Sequence, residues 1–206
     1  MFIYNTGMLT IAIQAGGESR RMGQDKALMP FLGKPLIERL VTRLAPLADE
    51  VIVTTNQPEK FLFLGLPLFS DARSGRGALG GLFTALSHAT QPLVAVIACD
   101  MPFASPCLLE YQVRMLEQQA VDICIPMLPE GYEPLHAVYR RDTCLPAVEW
   151  ALDNDQWKVI SWFPKVRVHT LSEAACRDYD PQGLAFSNVN TPQELSEAED
   201  IARNGE

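Results

Sequence analysis

Between residues 16 and 26 the chain reads GGESRRMGQDK, which sets Gly16, Gly17 and Gly23 beside Arg20, Arg21 and Lys26. Glycines let backbone N–H groups approach an anion closely, and Arg and Lys add charge-assisted donors to its oxygens, so the chemistry this stretch suits is phosphate binding. A glycine-rich surface turn that is merely basic has the same composition. A second candidate is Asp100 in ACDMP, a carboxylate at the end of an apolar run with Pro102 fixing the following turn. It suits a metal ligand, although an Asx-turn or helix cap would satisfy the same group. Asn56 and Asp71, each just past an apolar stretch, are further polar groups at the ends of expected strands.

The elements that must position these residues alternate in type. Residues 9–13 form an apolar run of the kind a two-faced parallel sheet hides, and it ends at the first glycine loop. Leu36, Ile37, Leu40, Val41, Leu44 and Leu47 recur at helical spacing over 35–48. Strands are expected at 51–55 and 66–70 with a short helix at 58–64 between them. A second glycine-rich loop, SDARSGRGALGGL, leads into a helix at 80–89. The run 93–98 predicts a central strand, followed by a helix at 106–119 and a strand at 121–127. Beyond Pro129, residues 132–139 predict a strand on a sheet edge, because Pro134 removes a donor. Helices at 142–153 and 156–162, a strand at 166–171 and an extended SNVN follow. The last helix starts cleanly, with Thr191 as N-cap, Pro192 in first place and Glu194 in third.

This alternation predicts one doubly wound, mainly parallel sheet with an added antiparallel edge strand, in a single domain over residues 1–206 whose first eight residues are a lead-in. In such a sheet the first loop, Asn56, Asp71 and Asp100 all emerge at one edge.

Composition narrows the function. With 48% hydrophobic residues, 20% charged residues and a net charge of −8, the chain lacks the basic surface of a general nucleic-acid binder. Cations gathered on an acidic protein point to a small anionic ligand held at one place. No apolar run approaches the about 20 residues of a spanning helix, and the first residues do not read as a secretory signal. The five cysteines are odd in number and lack a C-x-x-C pair, as expected of reduced core residues in a cytoplasmic protein.

Three phosphate patterns compete. The P-loop fails, because Gln24 and Asp25 separate Gly23 from Lys26 and Ala27 replaces the magnesium-binding hydroxyl. G-x-G-x-x-G occurs at Gly75, Gly77 and Gly80, with Asp100 twenty residues on, but Asp71 to Ser74 intervene after the strand and the first loop is left unexplained. The third pattern is IQAGGESRRMGQDKALMPFLGKPLIERL, which resembles the A-G-G-x-S-x-R-M-G-x-D-K signature of nucleotidyltransferases. With DARSGRGALGGLFTAL, ACDMPF and FSNVNTPQEL in the same order, the chain most resembles the molybdenum cofactor guanylyltransferases, the molybdopterin-guanine dinucleotide biosynthesis protein A family. Two departures stand out. Gln14 replaces a usual Leu, where the base is expected, and Ala78 replaces the Pro of G-P-L-x-G.

That resemblance implies transfer of GMP from GTP to the terminal phosphate of molybdenum-bearing molybdopterin, with release of pyrophosphate. It implies that Gln14, Ala15, Gly16 and Gly17 surround the nucleotide, that Arg21 and Lys26 hold the triphosphate, and that Asp100 binds Mg²⁺, with Mn²⁺ as substitute. Asn56 and Asp71 fall near the nucleoside, Leu79, Gly80 and Gly81 near the base, and Asn188 and Asn190 on the acceptor side, where Arg73 and Arg76 are also candidates. Asn190 is alternatively a second metal ligand. His88, His136 and His169 are read as structural. The expected partners are GTP, molybdopterin and, transiently, other molybdenum cofactor proteins, with no nucleic acid or membrane, on a monomer. A cytidylyltransferase or sugar-phosphate enzyme, an NAD-binding oxidoreductase and a non-catalytic nucleotide-binding module are the alternatives.

Overall fold

The computed structural model describes residues 8–16 and 25–205. Its first strand, β1 (Leu9–Gln14), is buried at every position. The small β2 (Pro30–Phe31) and β3 (Lys34–Pro35) pair with each other. They lead into α1 (Leu36–Leu44), which buries Leu36, Ile37, Leu40 and Leu44. A turn of 3₁₀ helix containing Pro46 replaces the expected last turn of this helix. Next come β4 (Glu50–Thr54) and β5 (Leu68–Phe69), joined by two short 3₁₀ turns.

The second half begins with α2 (Gly77–His88) and the fully buried β6 (Leu93–Ala98). After it come α3 (Pro106–Gln118), capped by the Ser105 hydroxyl, and β7 (Ile123–Leu128). The remaining elements are β8 (Gly131–Tyr132), β9 (His136–Arg140), α4 (Arg141–Asp153), β10 (Val168–Ser172), α5 (Glu173–Arg177) and α6 (Pro192–Asn204).

The main sheet runs β10-β7-β9-β6-β1-β4-β5, with β8 paired to β7. β1 lies parallel to both β4 and β6. Strand residues alternate between two cores. Leu9, Ile11 and Ile13 pack with α1 and α3 on one face, while Ala12 packs with α2 and α4 on the other. This is the doubly wound arrangement expected. β9, however, is not an edge strand. It runs antiparallel between β6 and β7, with Ala95 opposite Val138 and Cys124 opposite Val138 on its other side. Pro134 lies in the turn before the strand, so it removes no ladder donor, and its carbonyl accepts the Tyr139 hydroxyl at 2.7 Å. The helix expected at 156–162 is a series of turns, because Asp155 enters the left-handed region at φ +57° and ends α4. All five cysteines are free.

From β1 the chain first builds outward through β4 and β5, then crosses to β6 on the other side. The switch in winding direction therefore falls between β1 and β6, where open α/β sheets leave a crevice at their carboxyl ends.

Candidate active site

A cleft of about 780 Å³ opens at that switch point. Its floor is stitched by strand-end hydrogen bonds: Ala15 N–H donates to Thr54 O at 2.8 Å, Cys99 N–H to Gln14 O at 3.0 Å and Ala98 N–H to Leu135 O at 3.0 Å. Gln14, Ala15, Gly16, Lys26, Asn56, Asp71 and Asp100 all line it. Residues from four loops thus converge as the crevice rule requires. Gly17 and Arg21, with Arg20, lie outside the described residues.

One side of the cleft carries its lysine. Lys26 Nζ donates to Asp100 Oδ2 at 3.4 Å and to Asn190 Oδ1 at 2.5 Å. Asn190 reaches this point because Val189 N–H donates to Asp100 O at 2.9 Å, and Val189 itself is buried. The exposed Asn188 has no side-chain hydrogen bond to the cleft among the described residues and does not line it. The Asp100 carboxylate thus faces a cation through Oδ2. One carboxylate and one amide oxygen converging on a cation are hard donors of the kind Mg²⁺ uses when phosphate oxygens and water supply its other ligands. Among the described residues no group of three or more His, Cys, Asp or Glu gathers.

The other side is built on α2. Asn56 and Asp71 hold each other reciprocally, Asn56 Nδ2 donating to Asp71 Oδ2 at 2.9 Å and Asp71 N–H to Asn56 Oδ1 at 3.0 Å. Gly77 begins α2 at φ +55°, a backbone that disfavours other residues, and Gly77 and Ala78 face the cleft. Leu79, Gly80 and Gly81 lie behind this lining, in the core or in tight packing. Leu79 is fully buried. A Cβ on Gly80 would stand 2.9 Å from the Arg73 carbonyl oxygen, and one on Gly81 would stand 2.8 Å from Gln14 Oε1. The G-x-G-x-x-G spacing is thus accounted for by packing of the 73–77 loop.

Arg73 and Arg76 point away from any acceptor role. Arg73 pairs with Asp153 at 3.0 Å and Arg76 with Asp155 at 2.6 Å, and Arg76 also lies 4.7 Å over the Trp157 ring. They fasten the 73–77 loop to the end of α4. The sequence reading missed Asp25, Thr55, Gln57 and Leu135 as cleft residues. Thr55 and Gln57 flank Asn56 and were legible as neighbours of a strand end, whereas Leu135 depends on β9 lying beside β6.

Among the described residues no histidine lines the cleft. Burial, reinforced by the Asp100 charge, pushes the Cys99 thiol well up from its ordinary value. His88 stacks on Phe69, and His136 is buried under Ser105, whose N–H donates to its Nε2 at 3.2 Å. Lys26 can meet an anion, and Asp25, Asp71 and Asp100 can meet a cation that accompanies it. Among the described residues no helix is long and apolar enough to cross a membrane.

A family model described as MobA-like NTP transferase domain matches residues 11–168. The chain is 40% identical over 196 residues to a probable molybdenum cofactor guanylyltransferase of Pelotomaculum thermopropionicum, covering 95% of this chain and 94% of that protein. It is 33% identical to the molybdenum cofactor guanylyltransferase of Desulfosudis oleivorans, covering 96% and 97%. The crystal structure of molybdopterin-guanine dinucleotide biosynthesis protein A from Archaeoglobus fulgidus superposes with a TM-score of 0.82 at 27% identity, covering 95% of this chain and 99% of that one.

Proposed function

The chain belongs to the MobA-like NTP transferase family, and on that premise we propose that it transfers GMP from GTP to the terminal phosphate of molybdopterin, releasing pyrophosphate. The observation that carries this reading is Lys26 held between Asp100 and Asn190 at the mouth of the switch-point cleft. An acceptor phosphate oxygen forms a bond to the α-phosphorus, the bridging oxygen between α and β leaves with its electron pair, and pyrophosphate departs. The nucleophile is already an anion, so the obstacle is bringing two anions together, and positioned cations and backbone donors meet it without a general base.

Lys26 neutralises charge on the triphosphate and on the leaving pyrophosphate, and Arg21 serves the same end. Ala15, Gly16 and Gly17 supply backbone contacts to the nucleotide, and Asn56 with Asp71 faces the nucleoside. Asp100, with Asn190 beside it, would hold Mg²⁺ or Mn²⁺, which when bound supplies charge neutralisation across the phosphate oxygens. Asn190 borders the acceptor. We read the enzyme as a cytoplasmic monomer that exchanges molybdopterin with other molybdenum cofactor proteins by transient contact.

Thermal shifts with GTP, CTP, UTP and ATP, each with Mg²⁺, test this reading. At about a hundred times its dissociation constant GTP should add about 2.7 kcal/mol of stability, which corresponds to roughly 5–10 °C for a chain of this size. A shift with CTP or UTP and none with GTP would make the protein a different nucleotidyltransferase.

A further inference from the structure

The wall of the cleft from which α2 starts is held from outside the cleft. Gly75, Gly77 and Ala78 line it, whereas Arg76, between the two glycines, turns away and does not. Gly75 and Gly77 stand at φ +77° and φ +55°, and among the described residues a Cβ on either would meet nothing within 4 Å. Both glycines therefore answer to the backbone path and not to crowding, and the front of this loop is open to whatever fills the cleft. Behind the loop the packing is close, since a Cβ on Gly80 would stand 3.0 Å from Arg76 Cβ. Arg76 itself is committed to the end of α4. Its Nη1 donates to Asp155 Oδ1 at 2.6 Å, its Nη2 donates to Leu152 O at 3.2 Å, and its guanidinium lies over the Trp157 ring.

Three features set this contact apart from an ordinary surface ion pair. The Arg76 side chain is only 22% exposed, and it meets the carbonyl end of α4, where the helix dipole favours a cation. Asp155 enters the left-handed region at φ +57° as it presents its carboxylate, a conformation that Asp tolerates at some cost. The loop so fastened carries Gly75 and Gly77 of the cleft wall. Resting on the guanylyltransferase reading for the identity of the ligand, we infer that Arg76 is a positioning residue for the nucleotide, its clamp on Asp155, Leu152 and Trp157 fixing the 75–77 wall where a bound nucleotide meets it. Neither Arg76 nor Asp155 lines the cleft, so both act through the backbone between the glycines. A wall left unfixed has to be ordered when the ligand arrives, and that ordering lowers affinity. The wall meets the nucleotide equally before and during the reaction, so the loss falls on KM and spares kcat.

The test measures GTP binding with Mg²⁺, and kcat and KM with molybdopterin as acceptor, for the full chain and for Arg76→Ala, Arg76→Lys, Asp155→Gly and the double variant of Arg76→Ala with Asp155→Gly. Asp155→Gly removes the carboxylate while accepting the left-handed backbone, so it keeps the fold even if Arg76→Ala does not. Arg76→Ala should weaken GTP binding and raise its KM by about tenfold, with kcat within about twofold of wild type. Asp155→Gly should act in the same direction by about threefold, and the double variant should be no worse than Arg76→Ala, because both changes remove one clamp. Arg76→Lys keeps a charge beside Asp155 and loses the planar fork, and should recover part of the affinity. Unchanged GTP affinity in either single variant, whatever its melting temperature, would overturn the inference by making the clamp purely structural. A fall in kcat at unchanged KM, or additive losses in the double variant, would overturn it too. Failure of the unmutated chain to bind GTP would instead overturn the guanylyltransferase reading, and the clamp is then read on whichever of ATP, CTP or UTP that chain binds.

Discussion

The Lys26 and Asp100 side chains are 20% and 22% exposed and 3.4 Å apart, so their attraction contributes at most about 1 kcal/mol to folding. The pair is placed for what it does to a ligand. Asp100→Ala should therefore leave the melting temperature nearly unchanged and lower turnover by about a hundredfold or more, measured with saturating GTP. Activity within a few-fold of wild type would remove Asp100 from the metal role. His136 makes a different prediction. Burial pushes its pKa down to about 4, and Nε2 accepts a hydrogen bond only in the neutral form. Unfolded, the same imidazole titrates near 6.5. Between those values the unfolded chain takes up a proton that the native chain refuses, so this contribution is fully present above about pH 6.5 and is lost as pH falls toward 4, by about 3 kcal/mol in all. Urea unfolding of wild type and His136→Gln across that window should show a steep decline in the first and a flatter one in the second. Parallel declines would assign the acid sensitivity elsewhere.

At the scale of elements, α6 ties its own cap to the cleft. The Thr191 hydroxyl accepts Glu194 N–H at 3.1 Å, while Glu194 Oε2 accepts Asn190 N–H at 2.6 Å and Thr191 N–H at 2.9 Å. Glu194→Ala should cost about 1 kcal/mol in denaturant unfolding and, by loosening Asn190, should also lower kcat/KM several-fold at a temperature where the protein is fully folded. A stability loss with unchanged kinetics would mean that Asn190 is held by Lys26 alone. This cap was readable from TPQE because capping is a local code, and β1, β6 and α3 were readable because periodicity and Pro106 are local too. The placement of β9 was not. An apolar run such as AVY suits an edge or an interior strand equally, and the choice is made by pairing with residues about forty positions away in β6. Five-residue α5 is too short to show a helical period. Within the cleft, Lys26 was legible as a cation of the first glycine loop and Asp100 as a carboxylate at a strand end. The separation of Asn190 from Asn188, and the diversion of Arg73 and Arg76 to Asp153 and Asp155, depend on tertiary contacts that spacing does not encode.

Across the whole molecule, the two cores share one sheet, and β1 and β6 contribute to both. We read residues 1–206 as one domain, which predicts a single unfolding transition with coincident far- and near-ultraviolet circular dichroism; separated transitions would divide the chain. Among the described residues the crevice sets one cation, Lys26, against three carboxylates, Asp25, Asp71 and Asp100, so an anionic nucleotide is best received there together with a cation. The central claim is that this crevice transfers a guanylyl group between two phosphates, and pyrophosphate release from GTP and Mg²⁺, with and without molybdopterin, tests it most directly. Pyrophosphate should appear in step with the guanine dinucleotide only when molybdopterin is present. Release that is independent of the acceptor, or that proceeds with CTP and not with GTP, would contradict the account.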